Sequence, residues 1–428
     1  MNNFASGGAP TDELTATPGE VMKGYKFLGS GSDEEQTGTL ELTGNAAVNH
    51  VLQGETFYNT NPKQKLTGTM TVNSILSFSV AAYSGRRVLA KWQNPKAAIG
   101  RPYSGVYIRY STSGYPGKTG GTQIYKGAGS NTASQGQSQT YLDMPALNTT
   151  YYLSCTPYVT TNQGEMTGDV LNTTVTTGSS ISETITSTQN YTIPAGYTTL
   201  DIFCVGGGGG GAGGSGDYSS KSTIGGGGGG GGRTTKKTGI AVSSGQVLAC
   251  IVGTGGSGSA QGKAGGTGGT SSVARSGTTL CSAAGGSGGA SWSTGGSGGS
   301  GGGAGSFRGQ STGAGGTNGG DGGSSGSYSG GTGQGTTTRA WGLSSGTLHS
   351  GGGGGGGSYC DGTMTNGGSG GNGGGARGGD GGPSATAGSS ASANTGGGGG
   401  GGGATSSSST ADKNGGNGGS GIILLKLY

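Results

Sequence analysis

Glycine decides what this chain can fold into. Of its 428 residues 113 are glycine, most of them beyond Val205, against a usual frequency of about 7%. Residues before about 200 have the composition of an ordinary β-rich protein, and from about 206 to 420 the chain is Gly, Ser, Thr, Ala and Asn with isolated larger residues. Apolar residues make up only 28% of the whole, which excludes one large hydrophobic core. The first half can bury two small cores. The second half must be held together in another way.

A period of three suggests how. Gly-Gly-x-Gly-Gly-x occurs at 265, 285, 295, 319, 367, 378 and 415. Three residues make one turn of the polyproline II helix, so two edges of such a rod carry only glycine and the third carries x. Bare edges let rods approach and exchange backbone hydrogen bonds. Gly/Ser tracts otherwise behave as flexible linkers. Collagen, the competing period-three fold, needs unbroken Gly-X-Y and abundant proline, and this chain has ten Pro. Fixing a residue costs about 1–2 kcal/mol, glycine more, and a net hydrogen bond returns roughly 0.5–1.5 kcal/mol. Isolated rods should therefore melt. A closed bundle pinned at its ends can survive, and strand-like segments at 199–205 and 422–428 bracket the region.

The first 74 residues hold a duplication. Val21-Met-Lys-Gly24-Tyr-Lys-Phe27 runs on to Thr37-Gly38-Thr39-Leu40, and Val51-Leu-Gln-Gly54-Glu-Thr-Phe57 to Thr67-Gly68-Thr69-Met70, an offset of 30. Each unit is too small to bury its own Phe and should lie against a neighbour, another subunit or a shaft. The pattern resembles repeats in tail proteins of phages and prophages of Gram-positive bacteria. That resemblance implies an attachment element.

Residues 75–178 read as a β-sandwich. Short alternating segments at 77–80, 88–92, 106–110, 123–125, 140–142 and 151–158 are separated by turn clusters such as Gln93-Asn-Pro95 and Gly114-Tyr-Pro-Gly117. Trp92 on an early strand, and Leu147-x-x-x-Tyr151 leading into Leu153 and Cys155, resemble a fibronectin type III module, which implies a spacer.

Residues 179–428 open with Tyr191-Thr-Ile-Pro-Ala-Gly196 and a strand, followed by six consecutive glycines. A hairpin follows, with Gly239-Ile-Ala-Val242 and 246–252 around Ser-Ser-Gly, then long glycine tracts and the closing Gly421-Ile-Ile strand. This order is similar to the glycine-rich domain of phage tail proteins. The rods resemble the polyglycine II tip adhesins on the long tail fibres of T-even-type phages, whose connecting loops touch the receptor. The expected fold class is thus all-β and modular: N-terminal repeats, a sandwich, and a glycine-rich domain of packed rods with a few strands.

Catalytic signals are absent or accidental. Gly-x-Ser-x-Gly matches at Ser287, Ser297 and Ser369 are expected by chance in so glycine-rich a chain, and His349 is the only histidine of this half. Gly114-Tyr-Pro-Gly-Lys-Thr119 is too short for a phosphate loop. A glycan-degrading enzyme needs two convergent carboxylates, whereas the six Asp after residue 200 are scattered and no Glu follows Glu183. The five cysteines (Cys155, Cys204, Cys250, Cys281, Cys360) are far apart and read as buried free thiols rather than a disulfide framework or zinc site. No signal peptide, membrane span or nucleic-acid stripe is evident. Eleven Lys or Arg against six Asp from residue 201 onward mildly favour an anionic surface polymer.

The expected protein is a non-enzymatic tail fibre or receptor-binding protein without metal or cofactor, assembled in a host cytoplasm and carried on the virion tail. Its partners would be a host-surface glycan, wall polymer or protein, other tail or baseplate proteins through residues 1–74, and two further copies in a homotrimer. A structural tail or baseplate component and a glycan-degrading tail enzyme are the alternatives. The candidate receptor contacts are the large side chains between glycine tracts: Trp292, Phe307, Arg308, Tyr328, Arg339, Trp341, His349 and Tyr359. Phe307, Arg308, Trp341, His349 and Tyr359 are expected to gather at one exposed end, away from the bracketing strands.

Overall fold

The structure, a computed structural model, describes residues 14–30, 34–128, 135–162, 164–217, 222–291, 294–307, 338–360, 362–405 and 413–428. Its regular elements are β-strands and short 3₁₀ turns. The chain divides into two compact units: Met1–Ala82, Val88–Leu142 and Thr149–Thr176 form one, and Tyr83–Arg87, Asp143–Asn148 and Thr177–Tyr428 the other.

The duplication is structural. The first copy has a 3₁₀ turn at Pro18–Glu20 and the pair β1 (Lys26–Phe27) and β2 (Gln36–Thr37); the second has Val48–His50, β3 (Thr56–Phe57) and β4 (Leu66–Thr67). Leu40 N bonds Val21 O at 3.0 Å, and Met70 N bonds Val51 O at 2.9 Å. The shared Thr-Gly-Thr has a steric cause: a Cβ on Gly38 or Gly68 would stand 2.4 or 2.1 Å from the carbonyl oxygen of Met22 or Leu52.

Beside these units lie β5 (Ser77–Ser84), β6 (Arg87–Gln93), β7 (Gly105–Ser111), β8 (Thr122–Ala128), β9 (Gln137–Asp143), β10 (Thr150–Thr161), β11 (Gly164–Thr167) and β12 (Leu171–Thr176). They form one sheet in the order β5-β6-β9 and another in the order β11-β10-β7-β8, with β12 also on β10. Alternation on β6 turns Val88, Ala90 and Trp92 inward, and the Trp92 ring sits 5.5 Å from Tyr125.

The second unit holds β13 (Ile181–Ile185), β14 (Gln189–Thr192), β15 (Thr199–Val205), β16 (Ser215–Asp217), β17 (Ser222–Ile224), β18 (Thr234–Ala241), β19 (Val247–Ile251), β20 (Ser271–Arg275), β21 (Thr278–Ala283), β22 (Tyr359–Cys360), β23 (Thr363–Met364) and β24 (Ile422–Leu427). Sheets β13-β24-β15-β18 and β14-β19-β20-β21 enclose a core that includes Leu200, Ile202, Cys204, Leu248, Cys250, Val273, Cys281, Ile423 and Leu425. None of the five cysteines forms a disulfide, and burial pushes the Cys250 thiol up to about 11. On the opposite faces of β15 and β24, Phe203, Val205 and Ile422 form a second, smaller cluster with Trp341 and Leu424.

Strands of this sandwich continue into glycine rods, and the hydrogen bonds of 206–214 define their form. Gly206, Gly209 and Ala212 donate to Arg233, Gly230 and Gly227; Gly207, Gly210 and Gly213 to Gly269, Gly266 and Lys263; Gly208, Gly211 and Gly214 to Gly419, Gly416 and Lys413. Successive amides thus point at three neighbours in rotation, the signature of a three-residue turn. Every partner number falls by three, so these neighbours run antiparallel. Carbonyls of the same rod accept from Gly256 and Ser259, from Gly286 and Gly289, and from Gly399 and Gly402, three further neighbours that run parallel. Each interior rod of this kind therefore has six neighbours. No glycine of 206–214, 225–232 or 397–403 has positive φ, which makes the rods left-handed.

Two glycine patterns encode two positions in the bundle. The unbroken runs 225–232, 351–357 and 396–403 are buried at every residue, as is 206–214 with its single Ala212. In the Gly-Gly-x runs at 265 and 367 the x residues face solvent, Ala264, Thr267 and Thr270 on one rod and Asn366, Ser369 and Asn372 on the other, whereas Ser300 of the run at 295 is buried. A rod with a polar third edge suits the surface. An interior rod needs all three edges bare or carrying no more than a small Ala or Ser, as at Ala212 and Ser300, a requirement that the period-three pattern alone leaves out.

Candidate functional site

Rods 206–214 and 225–232 lead away from the sandwich and back, joined at the far end by the β16–β17 hairpin. Run 350–358 reaches the same end and closes in the β22–β23 hairpin. Three rod ends meet there. Gly225 N bonds Ser306 O at 2.8 Å, and the Ser306 and Ser358 hydroxyls, both fully buried, are 2.7 Å apart. The residues one step further out, Phe307 and Tyr359, are thereby held on adjacent rods. Ile224 joins them through a β-bridge to Phe307, and Thr223 Oγ1 donates to Tyr359 O at 2.6 Å.

The end surface is amphipathic. Ile224, Phe307 and Tyr359 are half-buried and Met364 is 59% exposed. Lys263 and Lys413 lie at the same ends of their rods, where their carbonyls accept from Gly213 and Gly214. An apolar platform with cations beside it, on hydrogen-bonded rods, suits a contact surface, where partly exposed aromatics contribute most. Asp380, on a peripheral rod, pairs with Arg377 at 2.5 Å, and that bond holds its carboxyl below the usual range. Asp201 binds Gly239 N at 2.8 Å among the strands. Among the described residues no group of His, Cys, Asp and Glu could hold a metal.

The structure divides the candidate contacts. Phe307 and Tyr359 lie on adjacent rods at the far end. Arg339, Trp341 and His349 lie at the strand end instead, where Arg339 bridges Leu348 and the Trp341 and His349 rings stand 6.0 and 6.1 Å from Phe203. The expectation of one gathered set is corrected accordingly. The outer faces of β15 and β24 carry apolar residues that need cover, and segment 338–349 supplies it. His349 is 5% exposed, too buried to be a contact. Trp292, Arg308 and Tyr328 lie outside the described residues. Ile224 and Met364 escaped the sequence reading. The Asp-Gly pair at 361–362, a two-residue hairpin signal, could have pointed to β22–β23.

Residues 183–428 match the family model of a glycine-rich domain. No curated protein matches the chain.

Proposed function

Because the chain belongs to the glycine-rich domain family, we propose that it is a non-enzymatic tail fibre or receptor-binding protein of a phage or phage-like particle, attaching the particle to a host cell surface through the far end of its rods. The observation that carries this reading is the platform itself. A bundle whose interior is backbone excludes large side chains, and Phe307 and Tyr359 nevertheless follow the paired Ser306 and Ser358 at its far end.

The rest of the chain fits the same reading. The three-stranded and larger sheets of residues 77–176, with Trp92 buried on the second strand, support a fibronectin type III-like spacer. The duplicated units of the assembled copies would together dock on other tail proteins, and a homotrimer assembled in the host cytoplasm and released with the virion would carry several platforms. The test replaces Phe307 and Tyr359 by Ala in the assembled particle. Adsorption should fall by at least about tenfold with particle yield unchanged, since an interface hot spot contributes about 2 kcal/mol or more. Wild-type adsorption by this double variant would refute the proposal, leaving a structural tail component as the better reading.

A further inference from the structure

Residues 14–71 fold without a core of their own. Among the described residues of this stretch only Gly29, Gly38 and Gly68 are buried. Phe27 and Phe57 are half-buried, while Tyr25, Leu28, Leu40, Val48 and Tyr58 are 42, 52, 37, 39 and 54% exposed. The backbone is nonetheless tightly specified. Lys23 N to Leu40 O, Gly38 N to Tyr25 O and Thr39 N to Pro18 O recur 30 residues later as Gln53 N to Met70 O, Gly68 N to Glu55 O and Thr69 N to Val48 O. Ordering each residue costs about 1–2 kcal/mol, and hydrogen bonds alone do not offset that. The missing burial has to come from another surface.

Charge indicates whose surface. The units share one backbone path, yet one matched position of the described residues is opposite in sign: Glu35 of the first, which also pairs with Lys26 of its own unit, corresponds to Lys65 of the second. Asp33 and Lys63 are matched in the same way in the sequence, although Asp33 lies outside the described residues. A contact between unlike units already exists within the chain, where Lys63 Nζ of the second sits 4.9 Å over the Tyr25 ring of the first. Beside it is a groove of about 380 Å³ that includes Met22, Tyr25, Leu40 and Pro62. Leu52 and Met70, the counterparts of Met22 and Leu40, line an open groove of about 580 Å³ together with Thr161 and Asn162.

We propose that residues 14–71 form an interface between copies of this chain, in which the first unit of one copy packs on the second unit of the next. The exposed apolar side chains and the open groove are covered, and Glu35 facing Lys65 sets the register. The two contacting faces differ, so the association is head-to-tail, and a closed oligomer requires the rotation between copies to close. This proposal is independent of the receptor reading.

Native mass spectrometry and sedimentation of the full chain test it. The wild type should form a closed oligomer that weakens in high salt, as rim charges are screened. Glu35→Lys and Lys65→Glu, each at an exposed position, should separately weaken assembly by about tenfold, and the two together should restore it. Thermal melting of each variant checks that the rest of the chain stays folded. A full chain that stays monomeric at tens of micromolar overturns the proposal. So do single substitutions that leave assembly unchanged, or a double variant no better than either single one.

Discussion

Individual atoms decide stability in the rods, because glycine there is a matter of space. A Cβ on Gly210 would stand 2.1 Å from Ser257 O, a backbone atom that cannot turn aside. Gly210→Ala should destabilise the chain by about 1–3 kcal/mol or more through overpacking, read as a lower melting temperature. His349 is a different case. Both ring nitrogens are buried without a hydrogen-bond partner, and burial lowers its pKa. The nearby charged groups of the described residues, Lys236 (bonded to Trp341 O at 3.0 Å) and Arg339, are cations that offer a protonated ring no relief. Because the folded pKa is depressed, the unfolded chain binds a proton first. Stability is therefore full above the unfolded value of about 6.5 and declines as pH falls from there toward the folded value. His349→Phe should remove that decline, and melting curves at neutral and mildly acid pH would show it. An unchanged pH dependence would mean that another group causes it.

A threonine has opposite outcomes on different rods. Ser369 points to solvent from a Gly-Gly-x run, so Ser369→Thr should change stability by no more than about 0.5 kcal/mol. Gly400→Thr, on an interior rod, should prevent folding of the bundle, since a Cβ there would lie 2.0 Å from Arg377 O. Circular dichroism and protease resistance distinguish the two results. The rods were legible because a period of three is local: it appears within any six residues of a Gly-Gly-x run. The bracketing strands were legible from their apolar alternation, and the duplication from its 30-residue offset. The side of the bundle on which a run lies was also written in the sequence, as the difference between unbroken and interrupted glycine, but the meaning of that difference emerges only from the six-neighbour packing. The end at which a large side chain sits was not legible. Trp341 and Phe307 both follow glycine-rich stretches, and only the docking of 338–349 on Phe203 separates them. That docking joins residues well over a hundred positions apart, and no local pattern encodes it.

At the scale of the whole molecule, the glycine-rich unit has an interior made of peptide groups. Among its described residues only the small sandwich at one end, with its clusters around Leu200 and Phe203, buries substantial apolar surface. Unfolding a typical domain raises the heat capacity by about 12–15 cal/mol/K per residue, because exposed apolar surface raises it more than exposed polar surface lowers it. Melting rods exposes amides and little hydrocarbon, so calorimetry of the full chain should give a value per residue well below that range. A value within it would mean that the bundle is held by apolar burial after all. A small heat-capacity change also flattens the dependence of stability on temperature. Hydrophobic cores lose their hold on cooling, whereas a lattice of backbone hydrogen bonds keeps nearly the same grip in the cold as in the warm.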